Sequence, residues 1–210
     1  MRILIFGDSI AYGAWDTEGG WVERLKRILH AEVVQSNGTI ERQVFNLGVG
    51  GDTSADILKR MPAEIEARHS TKWPFVFIFT FGTNDERFSE GAPEISAEEF
   101  AANTARIITI AKQYTDKILF VGEPPLSKQL ITFSGREYSD ERINEYEQIT
   151  HGIVANANIP FVPIRPAFEA AGPETLFSHD GLHPNDKGHQ LIAETVQSAL
   201  AEILTENNDR

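Results

Sequence analysis

The chain has 210 residues, no cysteine, 19 Lys and Arg against 31 Asp and Glu, and a formal charge of −12. That length suits one domain built on one α/β core, and the lack of cysteine excludes disulfides, thiolate metal sites and a thiol nucleophile. An acidic chain with no basic stripe repels phosphate backbones, so no nucleic-acid partner is expected. No run approaches the roughly 18 apolar residues of a membrane span, so no membrane insertion is expected. No charged n-region or cleavage site precedes the first strand, and cytoplasmic residence is the default expectation.

The first predicted strand, Ile3-Leu4-Ile5-Phe6, ends in Gly7-Asp8-Ser9, and the chain leaves through Ala11-Tyr12-Gly13. Asp and Ser are favoured N-caps, so on this stretch alone helix capping is the simpler reading. After Gly19-Gly20, apolar residues at Trp21, Val22, Leu25, Ile28 and Leu29 repeat with helical spacing, Trp21 reading as a core anchor. A second strand from Gln43 to Leu47 ends in Gly48-Val49-Gly50-Gly51-Asp52-Thr53-Ser54. A helix follows through Ile57, Leu58 and Met61, with Pro62 expected to bend or interrupt it. The third strand, Phe75 to Phe81, is apolar on both faces, as a central parallel strand should be, and ends in Gly82-Thr83-Asn84-Asp85. A polar loop is expected next, then a helix from Ser96-Ala97-Glu98-Glu99 to Tyr114. Lys117 to Gly122 is the fourth strand, stopped by Glu123-Pro124-Pro125. Residues 126–138 show no period and read as a loop. A helix from Ser139 to Asn156, a short fifth strand at Phe161-Val162 and a loop to Ser178 come next. The last helix runs from about Asn185 to Leu204. Five alternations of strand and helix predict a single domain over residues 1–210, an α/β three-layer sandwich. Its five-stranded parallel sheet is expected in the flavodoxin-like order 2-1-3-4-5.

In such a sheet the carboxyl ends of the first three strands lie side by side, which gathers Ser9, Gly51 and Asn84 at one rim. Asp180 and His183 precede the last helix and should reach the same rim. Acyl transfer needs a nucleophile, a base, a group to orient that base and donors for the developing oxyanion. Ser9 supplies the hydroxyl, His183 can take its proton and Asp180 can hold the imidazole. Gly51 lets a backbone N–H approach the substrate oxygen, and Asn84 can add a side-chain N–H. His179, Asp180 and His183 also form a short metal-like cluster, but no fourth ligand presents itself and no metal is expected. His30, His69, His151 and His189 read as surface or core-edge residues. Asp8, Asp52 and Asp85 read as helix caps, each with a possible second role in orienting oxyanion donors.

With these residues in view, the chain resembles the SGNH, or GDSL, hydrolases. The matching stretches are Gly7-Asp8-Ser9, Asn46-Leu47-Gly48-Val49-Gly50-Gly51-Asp52, Gly82-Thr83-Asn84-Asp85 and Asp180-Gly181-Leu182-His183-Pro184. Ile10 stands where the family name has leucine. The resemblance implies Ser9 as nucleophile, His183 as base and Asp180 as its orienter. The oxyanion hole would comprise the Ser9 N–H, the Gly51 N–H and the Asn84 amide. Gly51 is preferred to Gly50 because the family glycine tends to fall just before the Asp-Thr-Ser helix start. No Gly-x-Ser-x-Gly elbow occurs, which disfavours the α/β-hydrolase alternative.

The implied activity is a cofactor-independent serine esterase acting on small-molecule carboxylic esters of short acyl chains. A thioesterase or lysophospholipase with the same triad stays open, as does a non-catalytic module binding anions at helix N-termini. Residues 126–138 are the best candidate for a lid, and Phe133 for one pocket wall. Oligomeric state leaves no trace in the sequence.

Overall fold

A computed structural model describes residues 1–128, 132–133 and 135–205, the side chains of 132, 133 and 205 excepted. β1 (Arg2–Gly7) is buried from Ile3 onward. It ends at Asp8, whose carboxylate accepts the Ile10 N–H and so starts the one-turn α1 (Ser9–Tyr12). In α2 (Gly20–Gln35) the apolar stripe faces inward and Trp21 is fully buried. β2 (Gln43–Gly48) leads to α3 (Ser54–Glu66), where Thr53 and Asp56 form a reciprocal capping box. Pro62 does not interrupt α3. It lies on the exposed face, where water can satisfy the carbonyl left without its N–H partner.

β3 (Phe75–Thr80) is buried at every position. The chain continues through α4 (Thr83–Glu86), β4 (Phe88–Ser89), β5 (Ala92–Pro93), α5 (Ala97–Ala111), β6 (Ile118–Val121), β7 (Thr132–Phe133) and β8 (Arg136–Glu137). It closes with α6 (Asp140–Asn156), β9 (Phe161–Val162), α7 (Arg165–Ala171), a 3-10 turn at Pro173–Thr175 and α8 (Asp186–Thr205).

The main sheet is parallel throughout, in the order β2-β1-β3-β6-β9. With β4, β5, β7 and β8, which pair elsewhere, set aside, this is the expected 2-1-3-4-5. Alternation decides the layers even though both faces are buried. Ile3, Ile5, Val76 and Ile78 pack with Trp21, Leu25, Val196 and Leu200 of α2 and α8. Leu4, Phe6, Phe77 and Phe79 pack on the other face with Ile57, Phe100, Ile107 and Tyr146 of α3, α5 and α6.

Two segments expected as loops are structured. The stretch after Asn84 and the stretch before α6 contribute β4, β5, β7 and β8 to a small antiparallel sheet, order β5-β4-β8-β7, joined where Phe88 pairs with Glu137. Strands of two residues are too short to show a period. Of the lid candidate, residues 129–131 and 134 lie outside the described residues. The segment after β9 holds α7, whose seven residues bury only Phe168. No helix among the described residues is long and apolar enough to cross a membrane.

Candidate active site

Register brings the strand ends together: Gly7 of β1 pairs with Gly48 of β2 and Thr80 of β3. A Cβ on Gly48 would come within 2.3 Å of the Tyr12 nitrogen, so the missing side chain lets α1 lie directly against β2. Ser9, the Val49–Asp52 turn and Asn84 therefore share one rim. The turn before α8, closed by a bridge between Phe177 and Pro184, brings Asp180 and His183 to it.

His183 Nε2 lies 2.9 Å from Ser9 Oγ, and His183 Nδ1 lies 2.7 Å from Asp180 Oδ2. The other carboxylate oxygen, Oδ1, accepts the Ser178 hydroxyl at 2.8 Å and the Leu182 and His183 N–H groups at 3.0 Å. Burial works against the Asp180 charge, but the His183 ring and these donors outweigh it and hold the carboxyl well below its ordinary range. With Nδ1 donating to an ionised carboxylate, Nε2 faces Ser9 with its lone pair. Trp15, which sequence reading passed over, donates its indole N–H to the same Asp180 Oδ2 at 2.6 Å.

Opposite this relay, Gly51 takes φ +87°, a left-handed conformation that glycine adopts without strain. The Asp52 N–H donates to the Val49 carbonyl at 3.2 Å to close the turn. Among the described residues, neither the Gly50 nor the Gly51 N–H donates to the chain. Gly50 is near the nucleophile: a Cβ on it would lie 4.0 Å from Ser9 Cβ. Asn84 is oriented by three contacts. Its Oδ1 accepts from Arg87 Nη1 at 3.0 Å, and its Nδ2 donates to Asp8 Oδ2 at 3.2 Å and to the Asp52 carbonyl at 3.1 Å. Both amide hydrogens are engaged, so a substrate oxygen bound there must share or displace one of these acceptors.

The three aspartates differ from one another. Asp8 is an N-cap, as expected, and burial pushes its carboxyl up to about 6. Asp85 does not cap its own helix; both its oxygens accept the Ser54 N–H of α3, at 2.9 and 3.0 Å, and burial raises it to about 7. Asp52 caps nothing: it pairs with Arg60 at 2.6 Å, while Thr53 beside it caps α3. His189 is fully buried rather than at a surface or core edge, because α8 packs against α2 and its Nδ1 accepts the Trp21 N–H at 3.3 Å. Burial lowers its pKa to about 4.

A cleft of about 1040 Å³ opens over Ser9 and His183. Tyr12, Trp15 and Tyr138 line it together with Asn46, Arg87 and Arg136. The Phe133 side chain, expected as one pocket wall, lies outside the described residues. Arg87, buried beside Asn84, and Trp15 were missed for one reason: each stands outside the apolar periodicity, and its role comes from contacts made only in the fold. The one available signal for Arg87 was its place three residues after Asn84, across a helical turn.

A model of the GDSL-like lipase/acylhydrolase family matches residues 5–191. The chain belongs to this family. It is 25% identical over 207 residues to the esterase TesA of Pseudomonas aeruginosa, a match covering 97% of this chain and 90% of that one. Among solved structures, a lipase/acylhydrolase from Enterococcus faecalis superposes with TM-score 0.75 at 24% identity, over 96% of this chain and 95% of that one. The acetylxylan esterase Axe2 from Geobacillus stearothermophilus superposes with TM-score 0.72 at 21% identity, over 96% and 93%. Family membership makes ester hydrolysis the activity class against which the cleft is read, and the likeness to Axe2 is one of fold.

Proposed function

We propose that the protein is a serine esterase that hydrolyses small carboxylic esters of short acyl chains through an acyl-enzyme on Ser9. The observation that supports this best is the hydrogen-bond chain from Ser9 Oγ through both nitrogens of His183 to Asp180. In this reading His183 Nε2 takes the Ser9 proton as Oγ attacks the ester carbonyl, and Asp180 stabilises the imidazolium that forms. The oxyanion collects on the Ser9 N–H, the Gly51 N–H and the Asn84 amide. The imidazolium then returns its proton to the leaving alcohol. Water, deprotonated by the same Nε2, hydrolyses the acyl-enzyme. The scheme uses no metal or cofactor: His183 already spends Nδ1 on Asp180 and Nε2 on Ser9, so neither nitrogen is open to an ion.

Short acyl chains fit the lining. The apolar surface of the cleft is aromatic rings, Ala14 and Leu182, interrupted by Asp16, Asn46, Arg87 and Arg136, with no continuous aliphatic trough among the described residues. The cleft exceeds the volume of a small acyl group and leaves room for a polar alcohol portion. A fluorophosphonate probe tests the reading: stoichiometric labelling of Ser9, absent in Ser9→Ala, is expected. Folded, unlabelled wild-type protein would instead favour a non-catalytic module.

A further inference from the structure

Trp15 sits oddly for a large apolar side chain. It is 59% exposed, and its backbone takes φ +66°, a left-handed conformation that is rare and strained for bulky residues. Its neighbours hold it there. The Asp16 carboxylate is enclosed by Arg24 and accepts the Gly20 N–H at 2.7 Å, and Arg24 also pairs with Asp186 at the start of α8. What the strained loop delivers is the indole. Its N–H meets Asp180 Oδ2 at 2.6 Å, and its ring stands edge-on to the His183 ring at 5.9 Å and 89°.

We propose that Trp15 is a positioning residue for the Asp180–His183 pair, its indole N–H holding Asp180 Oδ2 in place and moderating the carboxylate's pull on the imidazole. The proposal rests on the reading of Ser9, His183 and Asp180 as a triad. Oδ1 already accepts three hydrogen bonds, so rotation of the carboxylate is opposed from that side. Oδ2 is shared between His183 Nδ1 and Trp15 Nε1. A second donor on one oxygen withdraws charge from the bond to the first, because both compete for the same lone-pair density. With Trp15 in place the carboxylate stays aimed at Nδ1 while the imidazolium is stabilised enough to form during attack; Asp8 and His189, which also act on the ring through space, are the same in wild type and variant. Without the N–H, Oδ2 answers to His183 alone: the resting ring takes up a proton more readily, and the carboxylate is less firmly aimed.

Trp15→Phe separates this role from most of the packing, since it keeps an aromatic ring over the site, smaller than the indole, and removes the N–H. Rates are to be expressed per active site titrated with fluorophosphonate, so that lost protein does not count as lost catalysis. The expected result is a fall of about tenfold in kcat, the scale of a charged hydrogen bond partly replaced by water, with KM nearly unchanged. The acid limb of kcat/KM is expected to move to higher pH. Trp15→Ala, which removes the ring as well, should show the same displacement of the limb together with a change in KM. Wild-type kcat per site with an unmoved limb in Trp15→Phe overturns the proposal, and so does a uniform loss of rate with an unmoved limb. If the wild type carries no label on Ser9, the triad reading fails and this one with it; a labelled wild type beside a silent Trp15→Phe sinks the Trp15 role alone.

Discussion

A serine hydroxyl is a weak nucleophile until a base takes its proton, which gives the 2.9 Å between Ser9 Oγ and His183 Nε2 its weight. Ser9→Ala should abolish turnover with the fold intact; turnover above a tenth of the wild-type rate in pure protein would refute the assignment. Asn84→Ala should lower kcat by about 10²–10³, roughly 3–4 kcal/mol, with little change in KM, since an oxyanion donor acts mainly in the transition state. A pure KM effect would make Asn84 a substrate-positioning group instead. Chelation with EDTA should leave the rate unchanged, and a loss restored by a divalent ion would return attention to His179, Asp180 and His183. At this scale the gathering of residues at one rim was readable wherever a residue followed a strand end or a tight turn, as Ser9, Asn84, Asp180 and His183 do. It was opaque where a role depends on distant partners. Trp15 meets Asp180 across 165 residues, and His189 is buried by a helix 168 residues before it.

Among the elements, the parallel strands were readable because Ile3 to Phe6 and Phe75 to Phe79 are unbroken apolar runs, which mark strands buried on both faces. The small antiparallel sheet was not readable, since each of its strands spans two residues and its pairing is set by tertiary contact. Yet this sheet bears on specificity. It ties the segment after Asn84 to the segment bearing Arg136, so one wall of the cleft includes charged groups on a fixed scaffold. Each buried CH₂ is worth about 0.8 kcal/mol, and an aromatic and charged lining stops rewarding added carbons early. Across p-nitrophenyl esters, kcat/KM should peak between acetyl and hexanoyl on this argument. A steady rise through dodecanoyl would show an apolar trough that the aromatic and charged lining does not offer.

For the molecule as a whole, buried acids set how stability depends on pH. Burial raises Asp8 to about 6 and Asp85 and Glu86 to about 7, and it raises Glu123 well above the usual range. Between about pH 4 and 7 the folded chain holds protons on these groups that the unfolded chain has released, so their stabilisation is lost as pH rises through that window. His189, lowered to about 4, works in the opposite sense from about pH 6.5 downward. The net charge of −12 adds self-repulsion as the remaining acids ionise. The denaturant midpoint should therefore be higher at pH 5.5 than at pH 8, and the reverse order would show that these carboxyls ionise normally in the fold. The proposed mechanism faces the other way, since in it His183 must be neutral to accept the Ser9 proton. The separation of that pair along the chain has a consequence in time. Ser9 and His183 stand 174 positions apart, on the exit of a central strand and on the approach to the last helix. On the proposed reading, the hydroxyl is harmless to any ester it meets until β1 has found both β2 and β3 and α8 has docked against α2. Pairing of that kind, between distant segments of a parallel sheet, comes slowly. During refolding, helical circular dichroism should recover ahead of esterase activity, with turnover serving as the clock for the final closure.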